Sequence, residues 1–238
     1  MGGEISVRVT CEWGAHGVES APADAILVVI DVLCFTTCVS IACGRGASVL
    51  PCVWNDARAA KLAAAEQAVL AAKRGERGYT LSPASYGDMP GGVRLVLPSP
   101  NGSTLAFAAR ARGGPVVAGS LRNAAAVARW SDAQQRPVAI VPAGERWTDG
   151  SIRFALEDWL GAGAIAARLQ GERSAEAEAA VAAFERMRDD LRGALQQSPS
   201  GRELIGWGYP QDIDLAADVD ADDGVPVLEG NAFTLSRP

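Results

Sequence analysis

The sequence contains a single histidine, His16, and its five cysteines include no Cys-x-x-Cys pair. Zinc sites in proteins are built mainly from these two residue types at short spacings, so the composition argues against a zinc centre. His16 lies between Gly14 and Gly17, which predicts a loop position and no functional role. With an odd number of cysteines and no export signal, we expect reduced thiols that serve as small core residues.

The sequence also lacks a cluster of lysine and arginine, a long apolar run and a recognisable signal peptide. Its formal net charge is -6 at pH 7, which argues against nucleic acid or an anionic membrane surface as the main partner. No apolar run approaches the length of a membrane helix, and the first residues do not have a signal-peptide pattern. We therefore expect a cytoplasmic protein; whether it forms a homo-oligomer is left open.

Strand-like apolar runs alternate with alanine-rich helical stretches along the chain, which is typical of a βαβ series. This pattern predicts an α/β protein, a three-layer α/β/α sandwich with a mainly parallel central sheet. No long linker interrupts the pattern, so we expect residues 1–238 to form a single domain. The predicted strands lie at about residues 5–10, 26–30, 48–53, 93–97, 115–118, 137–141 and 225–228.

The predicted helices occupy the stretches between these strands. Apolar side chains recur at steps of three and four over residues 174–196, which predicts one long helix with a single buried face. Residues 75–92 hold five glycines and two prolines and are predicted to form a long loop, and long loops in compact domains are often functional. The other predicted helices cover residues 56–73, the segment from about Thr104, residues 120–130 and residues 154–169.

Asp31 directly follows a run of five apolar residues, Ile26–Ile30. Such a run predicts a strand buried on both faces of a parallel sheet, where a carboxylate is costly unless it lies at the strand end. The carboxyl ends of strands are where open α/β sheets bind ligands. Asp31 is therefore the leading candidate for a functional residue, and Thr36 and Thr37 follow it closely.

Other strand-to-helix turns are expected at the same edge of the sheet as Asp31. A helix start offers unpaired N–H groups and the positive end of the helix dipole, which suit a phosphate or another oxyanion. The alternative is that the hydroxyl residues in these turns are ordinary helix N-caps. The candidate anion-binding residues in these turns are Asn101, Gly102, Ser103, Ser120, Asn123 and Gly144.

Glu157 and Asp158 are adjacent acids at the start of a predicted helix, where the helix dipole alone could account for them. Neighbouring residues point about 100° apart on a helix, so we expect only one of the two to face the sheet. An inward acid near the strand ends would be a candidate Mg²⁺ ligand, because magnesium takes few carboxylates and keeps water molecules. Arg153 precedes the pair and could hold an anion.

Common enzyme motifs are missing from the chain. It contains neither a Gly-x-x-x-x-Gly-Lys-Ser/Thr loop nor a Gly-x-Ser-x-Gly elbow. Leu33 stands where haloacid-dehalogenase-type phosphatases carry a second aspartate. Cys52 and Arg58 have the Cys-x5-Arg spacing of cysteine phosphatases, but no glycine lies between them to wrap a phosphate, so this match is attributed to chance.

A series of short segments, kept in order over nearly the whole chain, resembles the 2-phosphosulfolactate phosphatases. These are Mg²⁺-dependent enzymes of coenzyme M biosynthesis with an α/β/α fold. No single segment is decisive, but the series is specific. The segments are residues 28–33 with Thr36 and Thr37, 75–77, 101–103, 119–124, 143–144, 154–158 with 161–165, 201–204 and 208–213.

The resemblance implies a Mg²⁺-dependent phosphatase acting on a small, acidic, phosphorylated substrate. Asp31 would hold Mg²⁺ or act as nucleophile or base, and Glu157 or Asp158 would assist with metal or water. Thr36, Thr37 and the candidate residues of the turns would bind the substrate, and Arg77 or Arg153 would counter its charge. The expected metal ligands are Asp31 and Glu157.

The chain departs from the family pattern at Cys34, where the family usually has arginine, and at residues 81–83, where its Gly-Asn-Ser-Pro element is reduced to Leu-Ser-Pro. Ser200 replaces a histidine often seen in the C-terminal motif. Without that arginine the site has one bidentate anion donor fewer, so a less anionic or differently shaped substrate is one expectation. The alternative function is a non-catalytic protein that binds a small anion and retains the fold.

Overall fold

The computed structural model describes residues 9–236, and the first part of the predicted strand at residues 5–10 lies outside them. Within this range the β-strands are β1 (Val9–Cys11), β2 (Ile26–Ile30), β3 (Ser48–Cys52), β4 (Val69–Leu70), β5 (Arg94–Pro98), β6 (Val116–Gly119), β7 (Val138–Pro142), β8 (Glu145–Arg146), β9 (Ile152–Arg153), β10 (Val225–Glu229) and β11 (Ala232–Ser236).

The α-helices of the same range are α1 (Gly14–Ser20), α2 (Phe35–Gly44), α3 (Ala57–Ala65), α4 (Gly102–Arg110), α5 (Ala124–Ala133), α6 (Leu156–Ala166), α7 (Ala175–Met187), α8 (Leu191–Gln197), α9 (Pro199–Gly206) and α10 (Pro210–Ala216). Short 3₁₀ helices cover Pro83–Tyr86, Leu121–Asn123 and Arg188–Asp190. In this part of the chain no helix has the length and apolar character that crossing a membrane requires.

Within residues 9–236, nine strands form the central sheet in the order β1-β7-β2-β6-β10-β11-β3-β5-β4. All pairings among β1 to β7 are parallel, whereas β10 and β11 form an antiparallel hairpin. Helices cover both faces: α1 and α4 pack together, and α5, α6 and α7 pack in series. The chain is therefore a three-layer α/β/α sandwich with a mainly parallel sheet, as the sequence predicts.

The strand that precedes Asp31 lies at the centre of this sheet. β2 pairs in parallel with β6 on one side and with β7 on the other. All five of its residues are buried, which confirms the prediction from its continuous apolar run. The carboxyl ends of β2, β6 and β7 consequently lie at one edge of the sheet, and the residues after them are brought close together.

The C-terminal hairpin of β10 and β11 lies inside the sheet, between β6 and β3. β10 pairs with β6 through Val227 and Val117, and β11 pairs with β3 through Phe233 and Val49, so the hairpin joins two groups of parallel strands. The sequence predicts the first strand of this hairpin at residues 225–228 but not the second.

Several predicted elements have different limits in the structure. The helix predicted over residues 56–73 ends at Ala65, because Gln67 adopts a positive φ of 51° and the chain then enters the edge strand β4. The helix predicted over residues 174–196 is divided into α7 and α8 by a 3₁₀ turn, and the Asp190 side chain caps the second part. His16 lies in α1, exposed, and not in a loop.

Candidate active site

Asp31 is the centre of a buried cluster at the carboxyl edge of the sheet. It is 7% exposed and accepts hydrogen bonds from the backbone N–H groups of Gly102 (2.8 Å) and Phe35 (3.3 Å). The Ser99 hydroxyl donates to the same oxygen as Gly102, at 3.4 Å. The turn after β5 therefore reaches across to the end of β2, as expected from parallel strands that end at one edge.

Gly102 is glycine because the packing leaves no room for a side chain. A Cβ at this position would lie 2.2 Å from Phe35 Cδ1 and 2.8 Å from Asp31 Oδ2. The absence of a side chain lets the first N–H groups of α4 approach the carboxylate directly. The Gly102 N–H group therefore binds the Asp31 carboxylate within the chain, and the binding of a substrate anion by this turn stays a prediction.

Glu157 and Asp158 both point into the protein, with 1% and 3% of their surface exposed. The expectation that only one of them faces inward is therefore wrong. The first turn of α6 is covered on more than one side, and Asp158 bridges two loops by accepting the N–H groups of Val32 (2.7 Å) and Gly144 (2.9 Å). Glu157 Oε2 is buried and has no hydrogen-bond partner among the residues that the structure describes.

Glu145 adds a fourth acid to the cluster. It begins the small hairpin of β8 and β9, is largely buried, and accepts a hydrogen bond from Asn101 Nδ2 at 3.0 Å. The sequence places the 144–145 turn at this edge, but it does not single out Glu145 as a functional acid. The sequence does contain a signal for Glu145, because this acid comes shortly after the end of a predicted strand, as Asp31 does.

Burial and neighbouring charges raise the pKa values of Asp31, Glu145 and Asp158. Burial, followed by the charge of Glu157, raises the pKa of Asp31 to about 6, although the N–H groups of Gly102 and Phe35 oppose the rise. Burial and the charge of Asp31 raise the pKa of Glu145 to about 7. Burial and the charges of Asp31 and Glu157 raise the pKa of Asp158 well above its ordinary value. The positive charge near this cluster is therefore too small to balance the charges of its carboxylates.

The donor set at this cluster fits Mg²⁺. Among the described residues no three histidine, cysteine, aspartate or glutamate side chains are arranged to hold a metal, which excludes a cage made entirely of protein ligands there. Magnesium is usually bound by one or two carboxylates, with water and substrate oxygens completing its shell. Asp31 and Glu157 could serve as such a pair, because the charge of Glu157 acts on Asp31 and Glu157 Oε2 is a buried acceptor with no partner among the described residues.

Arg153 lies on β9 beside the acids, but its guanidinium also forms an ion pair with Glu203. Its Nη1 and Nη2 donate to Glu203 on α9 at 2.9 and 3.3 Å, and its guanidinium carbon lies 5.7 Å from the centre of the Trp147 ring. Its Nε is buried without a partner in the described part of the chain. Its charge also acts on Glu145, and a role in countering the charge of a substrate stays a prediction.

The hydroxyl and amide side chains of the other candidate turns are engaged within the protein. Ser120 and Asn123 form a capping box in which the Asn123 Oδ1 accepts from the Ser120 N–H and hydroxyl, and both residues are fully buried. Ser103 accepts from the Cys52 N–H and donates to the Leu97 carbonyl. The contacts of Ser120 match the N-cap alternative considered for it, whereas Ser103 joins β3 to β5 and caps no helix. A role of these residues in binding substrate stays a prediction.

Thr36 and Thr37 stabilise the loop that carries Asp31. The Thr36 hydroxyl donates to the Asp31 carbonyl at 2.9 Å and accepts the Asp31 N–H at 3.0 Å. The Thr37 hydroxyl donates to the Val32 carbonyl at 2.7 Å. Both side chains are fully buried, so their contacts fix the position of the carboxylate. Arg77, in contrast, is exposed and makes no contact with the cluster among the described residues.

An arginine from another part of the chain lies against Cys34. Arg74 Nη2 is 3.2 Å from Cys34 Sγ, and Arg74 Nη1 donates to Asp212 Oδ2 at 2.6 Å. The guanidinium that the family resemblance leads one to expect at position 34 is thus supplied from position 74. Sequence reasoning missed Arg74, Asp212 and Ser99; only the location of Arg74, next to the Gly75-Glu76-Arg77 segment, gave a hint.

The fold and this site define an α/β/α protein with a cluster of acids and helix-start N–H groups at the carboxyl edge of its sheet. A model of the family described as 2-phosphosulpholactate phosphatase matches residues 15–231. The chain therefore belongs to the 2-phosphosulfolactate phosphatase family.

Three relatives support this membership over most of the chain. A probable 2-phosphosulfolactate phosphatase of Parasynechococcus marenigrum is 35% identical, covering 90% of this chain and 94% of the relative. A protein of the same description from Carboxydothermus hydrogenoformans is 34% identical, covering 85% and 86%. A 2-phosphosulfolactate phosphatase of Methanothermobacter thermautotrophicus is 29% identical, covering 91% and 92%.

Proposed function

We propose that this protein is a Mg²⁺-dependent phosphatase that hydrolyses a small acidic phosphate monoester, 2-phosphosulfolactate or a similar compound, to the hydroxy acid and phosphate. Family membership supports the reaction class. The observation that carries the proposal is the buried group of acids around Asp31, with Glu157 Oε2 left without a partner. Such a group of carboxylates is costly unless a bound cation offsets its charge or the carboxyls themselves are protonated.

Asp31 and Glu157 would hold the metal, which would neutralise phosphate charge and polarise the phosphoryl group when bound. Asp31 is pre-positioned for this task by the Gly102 and Phe35 N–H groups, which fix the direction of its carboxylate. Its pKa of about 6 leaves it ionised at neutral pH and able to accept a proton or to attack phosphorus. A covalent aspartyl route and an activated-water route both remain compatible with these contacts.

The other residues would hold the substrate and its charge. Asp158 fixes the loops after β2 and β7 through Val32 and Gly144, which keeps the edge of the site rigid. Arg153 would offset negative charge that develops on the phosphoryl oxygens through the field of its guanidinium, which already acts on Glu145. Catalysis would rest on a pre-arranged electrostatic environment more than on movement of the chain.

A panel of phosphate monoesters tests the proposal directly. Phosphate release would be measured for phosphorylated hydroxy acids, 2-phosphosulfolactate among them, and for simple alkyl phosphates, each with Mg²⁺ and with EDTA. We expect release that requires Mg²⁺ and favours the acidic esters. Binding of these esters without release in any condition would contradict the proposal and support the alternative of a non-catalytic anion-binding protein.

A further inference from the structure

An open cavity of about 380 Å³ lies beside Asp31. Ser99 lines this cavity and donates its hydroxyl to Asp31 Oδ2. Arg74 also lines it and donates to the thiol of Cys34, three residues after Asp31. Two of its lining residues thus contact the segment that carries the central carboxylate, so a ligand in this cavity would lie next to the acid cluster.

Arg74 is held in a fixed orientation by buried partners. Asp212, fully buried, accepts its Nη1 at 2.6 Å and also accepts the Ser82 hydroxyl at 2.5 Å. The Tyr209 ring lies 5.0 Å from the guanidinium carbon. Arginine has five N–H donors, and only two of those on Arg74 donate to partners among the described residues. The remaining donors are available to an anion, in a geometry that costs little entropy to maintain.

The rest of the cavity combines a second cation with apolar walls. Lys73 is exposed, and its ammonium has no partner among the described residues. Asn55 adds an amide, and Val53 and Leu81 contribute apolar surface together with prolines and alanines of the same lining. Cavities that hold small organic ligands are mostly apolar with a few fixed polar groups, and they begin at roughly 300 Å³.

We propose that this cavity binds the leaving-group half of the substrate, an organic acid whose acidic group contacts Arg74 and Lys73. Its carbon skeleton packs against the apolar wall that includes Val53 and Leu81. This inference rests on the proposed phosphatase activity for its catalytic readout. The size and the apolar lining of the cavity favour a skeleton with more carbon atoms than a three-carbon hydroxy acid. Arg74 is then the residue that determines specificity for an acid.

Three phosphate esters separate acid recognition from skeleton recognition. They are 2-phospholactate, the phosphate ester of 3-phenyllactate, and the phosphate ester of 1-phenyl-2-propanol, in which a methyl group replaces the carboxylate. We expect kcat/KM to be highest for the phenyllactate ester. Arg74→Met should lower kcat/KM for the two acids by about 10- to 100-fold, the effect of losing a charge-assisted hydrogen bond, and change the neutral ester by less than about twofold.

Two further variants keep the test valid if Arg74→Met is unstable, because that change leaves Asp212 buried without its ion-pair partner. The double variant Arg74→Met with Asp212→Asn keeps the pair uncharged and should show the same selective loss. Lys73→Met removes an exposed cation and should lower kcat/KM for the acids about 3- to 10-fold. Lys61→Met, an exposed change on α3 outside the cavity, should leave all three esters unchanged.

Binding of the free acid distinguishes failure of this inference from failure of the phosphatase proposal. Calorimetry with 3-phenyllactate should give binding to the unaltered protein that Arg74→Met and Lys73→Met weaken, whether or not any ester is hydrolysed. Equal losses for the acidic and the neutral esters in Arg74→Met would overturn the inference. So would a preference of the unaltered protein for the neutral ester, or acid binding that both variants retain.

Discussion

At the scale of single residues, the site depends on a small number of side chains whose surroundings are unusual. Asp31, Glu157 and Asp158 are buried together, which is costly unless hydrogen bonds or a cation compensate. Backbone N–H groups compensate Asp31 and Asp158, whereas Glu157 Oε2 has no donor within residues 9–236. Because of this difference, we expect Glu157 to be the acid whose oxygen contacts a bound cation.

The contact between Gly102 and Asp31 provides a prediction at the same scale. Gly102→Ala would place a methyl group against Phe35 and Asp31 Oδ2, at distances below any normal contact. We expect the start of α4 to shift, the Gly102 N–H bond to Asp31 to lengthen, and kcat to fall by about 10²-fold or more. The unfolding free energy should fall by about 1–3 kcal/mol. Steady-state kinetics and urea unfolding measure the two effects.

Gly206 provides the matched control, because a Cβ there would meet nothing within 4 Å. Gly206→Ala should leave both kcat and the unfolding free energy nearly unchanged. If Gly102→Ala retained full activity, the close approach of the α4 start to Asp31 would not matter for function.

At the scale of secondary-structure elements, the sequence predicts most of the parallel strands and their order along the chain but not how they pair. The apolar run before Asp31 is sufficient to identify β2, because five consecutive buried residues have few other interpretations. The insertion of β10 and β11 between β6 and β3 depends on long-range contacts that no local pattern records. The sequence likewise predicts a helix where the short edge strand β4 lies, because the alanine-rich composition continues nearly to it.

The same limit applies to the candidate site. The sequence identifies Asp31 and the acid pair, because each stands at the end of a strand or the start of a helix. It does not identify Arg74 or Asp212, which come together from positions 138 residues apart. It also cannot distinguish a hydroxyl that faces a ligand from one that caps its own helix, and Ser120 has the second arrangement.

The C-terminal hairpin supports the active-site loop, which gives a prediction at this scale. Phe233 on β11 is fully buried, and its ring meets that of Phe35 edge-to-face with centroids 6.2 Å apart. Phe233→Ala should lower the unfolding free energy by about 3–5 kcal/mol, since it creates a cavity behind the first turn of α2. Thr234→Ala, its half-buried neighbour, should cost about 1 kcal/mol or less. Comparable losses for both variants, measured by urea unfolding, would contradict this role for the hairpin.

At the scale of the whole molecule, stability and function oppose each other at the carboxyl edge of the sheet. The native state holds Asp31 and Glu145 with pKa values of about 6 and 7, above their ordinary values of 3.8 and 4.5. At pH values between the ordinary and the raised pKa values, the native state binds more protons than the unfolded chain. Stability supplied by the protonated carboxyls is therefore present at low pH and is lost as the pH rises.

The fall of stability with rising pH leads to a prediction for the metal-free protein. In EDTA, the contribution of these two groups should make the unfolding free energy fall by about 5 kcal/mol as the pH rises from about 4 to 7. Glu145→Gln keeps an acceptor for Asn101 but cannot ionise, so it should flatten the upper part of this fall. Urea unfolding at a series of pH values measures the slope. A stability that rises over this interval, or an unchanged slope in Glu145→Gln, would contradict the electrostatic account.

The most direct test of the central claim is the rate of Mg²⁺-dependent phosphate release in Asp31→Asn. With an acidic phosphate monoester and saturating Mg²⁺, we expect the unaltered protein to release phosphate and Asp31→Asn to lose at least about 10³-fold in kcat. Asp24→Asn, an exposed change away from the site, should retain full activity. Retention of the unaltered rate by Asp31→Asn for every phosphate ester tested would contradict the claim that this carboxylate is the centre of the reaction.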